Sequence, residues 1–274
     1  MSNKNNGLIT LSNEIAECKI SLFGGNIVSY RPKTEDYDVF WLGDLNKFDN
    51  IQAIRGGVPV CWPRFAEEEL NNNLPRHGFA RLSTWNLDNV CVDNNKIETT
   101  LSLNPDSKFD VSISAKLFIK ITDKLEYRLE TINHGDKEFK FSEALHAYFY
   151  VGNRDNTIIK GLSGHQYRNS LDGEIYFQAQ DLVIKDEFDS SFINHTGNIK
   201  IVDEVLHRTI NIEKDGSNTT VVWNPNKDLA EMTPNQYKTF ICVEPANQGD
   251  SFITLAPKAK HSISMRISIT KDKY

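Results

Sequence analysis

Apolar and polar residues alternate with a period of two through residues 109–121, where Phe109, Val111, Ile113, Ala115, Leu117, Ile119 and Ile121 are separated by mostly polar neighbours. Alternation of this kind puts one set of side chains on each face of an extended chain and predicts a half-buried strand. Thr122-Asp123-Lys124 interrupts the pattern, Leu125, Tyr127 and Leu129 resume it, and Asn133-His134-Gly135-Asp136 supplies a further turn before Phe139 and Phe141. An antiparallel meander is the expected result. The same period recurs at Cys18, Ile20 and Leu22, at Phe240, Cys242 and Glu244, and at Ile263, Met265, Ile267 and Ile269, so strands are expected from one end of the chain to the other. Helical turns are expected only as short pieces at residues 67–72 and 181–193. Many short strands without β-α-β alternation predict an all-β chain, folded as a large antiparallel sandwich or barrel. No composition shift or internal repeat marks a boundary, and Asn71-Asn72-Asn73 and Asp93-Asn94-Asn95 read as polar loops. Residues 1–274 are taken as a single domain.

Composition changes the picture mainly by exclusion. With 39% apolar residues, including 15 Phe, 9 Tyr and 4 Trp, the chain can bury an aromatic-rich core, and its charged fraction of 25% is ordinary. A formal net charge of −6 lacks the basic excess of a nucleic-acid binder. Met1 to Asn6 are polar, and no later run has the length of a membrane span, so no membrane association and a cytoplasmic location are expected. Cys18, Cys61, Cys91 and Cys242 form no C-x-x-C pair, which fits reduced thiols and neither a zinc ribbon nor a redox motif.

One segment departs from the strand pattern. Gly56-Gly57-Val58-Pro59-Val60-Cys61-Trp62-Pro63-Arg64-Phe65 is followed by Leu74-Pro75-Arg76-His77-Gly78-Phe79-Ala80-Arg81. Between Arg55 and Arg81 stand three prolines, three glycines and four arginines, with Glu67, Glu68 and Glu69 as the local carboxylates. Proline lacks the amide N–H and glycine weakens strands, so this stretch should be loop. Its guanidinium groups suit bidentate recognition of an anion such as phosphate. Arg55 and Arg81 are either solvated surface charges or ligand contacts, and aromatic residues beside glycine and proline favour the second. His77 is either a loop anchor or a donor to a ligand, with Gly78 permitting close approach to the backbone.

Two further residues carry candidate chemistry. Period two puts His146 on one face with Ala144, Tyr148 and Tyr150, either as a core histidine bonded to a carbonyl or as a general acid or base. Glu244 ends an apolar run that Pro245 is expected to terminate, and an unpaired carboxylate there would be costly. It is either salt-bridged to an arginine or a general base. GxxxxGK[ST], GxGxxG after a strand, HExxH and GxSxG motifs are all missing, which argues against nucleotide hydrolysis, dinucleotide chemistry, zincin proteolysis and serine esterase chemistry.

Taken together, Phe23-Gly24-Gly25-Asn26-Ile27-Val28-Ser29-Tyr30, the two loop segments above, Ala144-Leu145-His146, Val221-Val222-Trp223-Asn224-Pro225 and Cys242-Val243-Glu244-Pro245 resemble the hexose-6-phosphate mutarotases, or glucose-6-phosphate 1-epimerases, of the aldose 1-epimerase superfamily. The resemblance implies a galactose-mutarotase-like β-sandwich that interconverts the α and β anomers of a hexose 6-phosphate. It implies His146 as catalytic acid, Glu244 as catalytic base, Arg55 and Arg81 as phosphate contacts, and His77 and Asp189 as sugar contacts. Where many members read Leu-Pro-Gln-His, this chain has Arg76, which adds a phosphate contact or shifts preference. Neither a metal nor an organic cofactor is implied, the partner is a small sugar phosphate, and a monomer is expected. Two rival readings remain: a silent sugar-phosphate binder on the same fold, and a polysaccharide glycosidase or lyase, which would need a second carboxylate beside Glu244.

Overall fold

The structure is a computed structural model and describes residues 7–66, 73–104 and 111–271. Two eight-stranded antiparallel sheets carry most of it. The first runs edge to edge through Thr157–Lys160, Ile199–Asp203, Arg208–Asp215, Lys260–Lys271, Leu125–Asn133, Ile113–Ile121, Lys96–Leu103 and Asn86–Asp93. The second runs through Ile175–Gln178, His165–Asn169, Phe188–Phe192, Thr219–Asn224, Phe240–Asn247, Glu143–Leu145 and Val60–Cys61, with Tyr148–Tyr150 also paired to Phe240–Asn247. A three-stranded sheet (Leu8–Ser12, Ala16–Ser21, Asn26–Pro32) and the pair Phe139–Phe141 with Ile253–Leu255 complete it.

The period-two segments become strands of the first sheet for the reason their sequence suggests. In Leu125–Asn133 every odd residue is buried and every even one is not, Lys96–Leu103 alternates likewise, and Ile113–Ile121 does so from Ala115 onward. Their apolar faces meet Leu145, Phe149, Phe192, Val222, Ile241 and Val243 of the second sheet in one continuous core. Each such side chain, fully buried, contributes about 1.5–3 kcal/mol. Of the predicted run at 109–121, Phe109 lies outside the described residues.

The second sheet is buried on both faces at Phe240–Asn247, Glu143–Leu145 and Val60–Cys61. Phe240–Asn247 is buried at every position: Ile241 and Val243 enter the core between the sheets, whereas Phe240 and Cys242 pack with Trp41, Tyr148 and Met232, and Ala246 with Cys61, Phe65, Ala144 and Val221. Loops bearing Trp41 and Phe65 therefore roof its outer face.

Two expectations are corrected. Pro245 does not end its strand, which continues to Asn247 with Pro245 opposite Thr220. The Val243 N–H points to Ala147 O, and amide direction alternates along an antiparallel strand. A donor at position 245 would therefore point into the interruption between Glu143–Leu145 and Tyr148–Tyr150, where no ladder partner is required. Residues 181–193 hold no helical turn: Phe188–Phe192 is a strand paired on both sides, because sheet neighbours override a weak local preference. The other expected turn, 67–72, lies outside the described residues.

Candidate active site

His146 stands in the interruption just described. Its backbone N–H donates to Pro59 O at 3.0 Å, and its ring lies parallel to that of Tyr148, at 10° and 4.8 Å between centroids. Trp223 meets the imidazole edge-on at 5.9 Å, and His77 does so at 6.0 Å. Three aromatic walls thus fix the ring plane, and Nδ1 is left without a hydrogen-bond partner.

Glu244 comes up from the neighbouring strand on the same outer face. Its Oε1 lies 3.3 Å from His146 Nδ1, with the carboxyl side chain 1% and the imidazole 14% exposed. The approach is not aligned as a hydrogen bond, and both His146 Nδ1 and Glu244 Oε2 are buried without a hydrogen-bond partner. No arginine pairs with Glu244 among the described residues. Burial raises the carboxyl pKa well above its ordinary value, and the negative charge of Asp189 adds to the effect. Burial pushes His146 down to about 3, assisted by the positive charges of Arg55, Arg81 and Arg76. Both shifts run toward the uncharged forms, carboxylic acid and neutral imidazole. This reverses the protonation that an acid at His146 and a base at Glu244 require.

The arginines divide into two kinds. Arg55 has a carboxylate partner: Nε donates to Glu231 Oε2 at 3.3 Å and Nη1 to the Tyr148 hydroxyl at 3.2 Å. Arg81 Nη2 donates to Arg76 O at 3.0 Å, Arg64 Nη1 donates to Leu74 O, and both keep a buried Nε without a partner. Two guanidinium groups therefore hang on carbonyls two residues apart in one loop, with no carboxylate bound to either among the described residues. Arg76 itself is exposed and close enough for its charge to act on His146, His77 and Asp189.

The loop that carries these side chains is shaped by Gly78. At φ +69° it lies so close to Trp62 that a Cβ would sit 2.1 Å from the Trp62 carbonyl oxygen. His77 is itself left-handed at φ 61°, which is tolerated better by His than by most residues. Its Nδ1 accepts the Ala66 N–H at 3.2 Å, which leaves the proton on Nε2 as a donor. Burial and the charges around it push His77 down to about 2.

Asp189 lies on Phe188–Phe192, opposite Trp223, which is opposite Cys242, which is opposite Tyr148. This row crosses four strands and brings Asp189 into electrostatic range of Glu244. Burial raises its pKa, against a hydrogen bond from Ser170 and the charge of Arg76. All seven residues singled out in the sequence thus converge on one face. Glu231, Tyr148 and Trp223 were not singled out. Tyr148 had a signal, its shared face with His146, whereas Glu231 lies in a loop whose partner is 176 residues away.

His146, Cys242 and Glu244 bring ligand-type atoms within 4.8 Å of one another. Burial raises the Cys242 thiol well above its ordinary value, as it does the carboxyl, and three guanidinium charges act on His146. A donor set held protonated beside cations fits a metal ion poorly.

Comparison with known proteins identifies the family and the fold. A protein of Escherichia coli K12 named "Putative glucose-6-phosphate 1-epimerase" is 30% identical over 275 residues, spanning 96% of this chain and 90% of its own. One of the same name from Salmonella typhimurium is 31% identical over 250 residues, 86% and 82% of the two chains. The crystal structure of a "putative mutarotase" from Salmonella typhimurium superposes with a TM-score of 0.89 at 28% identity, covering 97% of this chain and 90% of that one. A galactose 1-epimerase from Lactobacillus acidophilus shares the fold, with a TM-score of 0.73 at 16% identity over 100% and 98% of the chains. The sequence profile described as Aldose 1-epimerase matches residues 7–268, and the chain belongs to that family.

Proposed function

We propose that the protein interconverts the α and β anomers of a hexose 6-phosphate, with glucose 6-phosphate as the preferred sugar. The observation that carries this reading is the buried His146–Glu244 pair, two groups 3.3 Å apart, set beside a cluster of guanidinium groups. The names of the relatives at about 30% identity point to the same substrate.

Anomer exchange needs one proton to leave the O1 hydroxyl and one to reach the ring oxygen as the C1–O5 bond breaks. The open aldehyde then recloses on its other face, and both protons return. A pair that shares one proton can do this without external acid or base: carboxylate with imidazolium is the form in which Glu244 takes the O1 proton and His146 supplies the ring oxygen. The step leaves the carboxylic acid and the neutral imidazole, and closure restores the charged pair.

Substrate charge favours the reactive form. A phosphate drawn to Arg55, Arg76 and Arg81 offsets the cations that depress the proton affinity of His146, so its arrival pulls the proton from Glu244 to the imidazole. Remote binding energy is thereby used at the reacting carbon. His77 Nε2 and Asp189 supply a donor and an acceptor for sugar hydroxyls.

Exchange NMR on equilibrated glucose 6-phosphate tests the reading. Catalytic amounts of the protein should raise the α–β exchange rate far above the spontaneous rate; an unchanged rate, with the sugar phosphate still bound, would make it a silent binder.

A further inference from the structure

Glu231 has no place in the proton transfers just described, yet it is the carboxylate partner of Arg55 among the described residues. The guanidinium spans two elements: Nε donates to Glu231 Oε2 at 3.3 Å and Nη1 to the Tyr148 hydroxyl at 3.2 Å. Tyr148 in turn lies parallel to the His146 ring at 4.8 Å. A chain of contacts Glu231–Arg55–Tyr148–His146 therefore runs from a loop beyond the sheet to the imidazole.

The anchor of this chain is built into the backbone. Leu45 N–H donates to Glu231 O at 3.0 Å, and Gly43 approaches so closely that a Cβ there would stand 2.5 Å from the same oxygen. Asn46 then grips Arg55 from the other side, Oδ1 accepting the Arg55 N–H and Nδ2 donating to Arg55 O, each at 2.8 Å. Backbone and side chain of Arg55 are both fixed by the 43–46 loop and the loop carrying Glu231. A side chain fixed at both ends loses little entropy when a ligand arrives.

We infer that Glu231 is a positioning residue: it acts through Arg55, holding the guanidinium against Tyr148 and keeping that charge from closing fully on the substrate's anion. This inference rests on the proposed epimerase activity for its kinetic consequence but not for its binding consequence. Freed from the carboxylate, Arg55 turns toward a bound phosphate, which tightens anion binding while Tyr148 and the His146 ring lose their brace. A residue needed only for folding would weaken binding and turnover together.

A double-mutant cycle with Glu231→Gln and Arg55→Met decides the matter, read on exchange NMR with glucose 6-phosphate and on calorimetric affinity for inorganic phosphate, with melting temperatures recorded for each variant. The expected result is a fall in kcat of about tenfold in Glu231→Gln and phosphate binding several-fold tighter, with neither change appearing when Arg55 is already Met. Additive effects in the double variant, or weaker phosphate binding with a lowered melting temperature, would overturn the inference. If the wild-type protein accelerates no exchange, the activity reading fails alone, and the phosphate cycle still decides the role of Glu231.

Discussion

Glu244 Oε1 faces His146 Nδ1 at 3.3 Å, yet His146 Nδ1 and Glu244 Oε2 are both buried without a hydrogen-bond partner. A buried polar atom left unpaired costs about 1–3 kcal/mol, so the pair is held in place by the fold and not by its own interactions. The sheet interruption at His146 and the strand that continues through Pro245 place the two groups within proton-transfer reach while leaving their lone pairs for a substrate.

Replacing Glu244 by Gln should therefore lower kcat by about 10³-fold, within the range for loss of an acid–base group, with little change in affinity. It should also stabilise the fold at neutral pH. The raised pKa means that the unfolded chain ionises Glu244 above about 4.5 while the folded chain keeps its proton, so stability falls as pH rises through that window. Thermal melts should show Glu244→Gln above wild type at pH 7 and the two converging below pH 4.5; a variant with full turnover contradicts the assignment.

The histidines act with the opposite sign. Folded His146, His77 and His195 are pushed down to about 3, 2 and 4, chiefly by burial, whereas the unfolded chain protonates each near 6.5. Their contribution to stability is full above that value and is lost as pH falls toward their folded values, at about 1.4 kcal/mol per pH unit for each proton. Denaturant unfolding should give a steep loss of stability from pH 6.5 to pH 4, and His195→Gln, outside the site, should flatten it by about one proton.

Asp189 raises the proton affinity of Glu244 through its charge. Asp189→Asn removes that charge, so the acid limb of the kcat/KM profile, a property of the His146–Glu244 pair, should move to lower pH by some tenths of a unit. KM for the sugar phosphate should rise about tenfold as a charged acceptor oxygen becomes a neutral amide donor. An unmoved limb would place Asp189 out of contact with the pair.

Gly78→Ala puts a Cβ 2.1 Å from Trp62 O at a positive φ, and the combined strain should cost about 2–5 kcal/mol. Because His77 precedes it, activity should fall further than stability alone explains. Chemical denaturation beside steady-state kinetics separates the two effects.

The sequence shows the first sheet well and the second poorly, for a physical reason. Leu125–Asn133 has one wet face and so alternates apolar with polar, whereas Phe240–Asn247 is buried on both faces, so the period read at Phe240, Cys242 and Glu244 marks a strand without separating a wet face from a dry one. Pro245 read as a strand end because the neighbouring strand that breaks beside it lies about a hundred residues earlier in the chain. His146 and Glu244 were legible as polar residues in apolar runs, and the arginines as cations in a loop of glycine and proline. The inverted protonation of the pair was not, since it arises from burial and from charges brought together by folding. Glu231 was hidden for the same reason, its value lying in contact with Arg55.

The central claim is that the phosphate group sets the proton distribution of the His146–Glu244 pair. Its most direct test is the α–β exchange rate of glucose 6-phosphate compared with that of glucose at saturating concentrations of each. The account predicts a kcat at least about tenfold higher for the phosphate ester, beyond any difference in KM. Equal kcat values, with phosphate affecting KM alone, would contradict it.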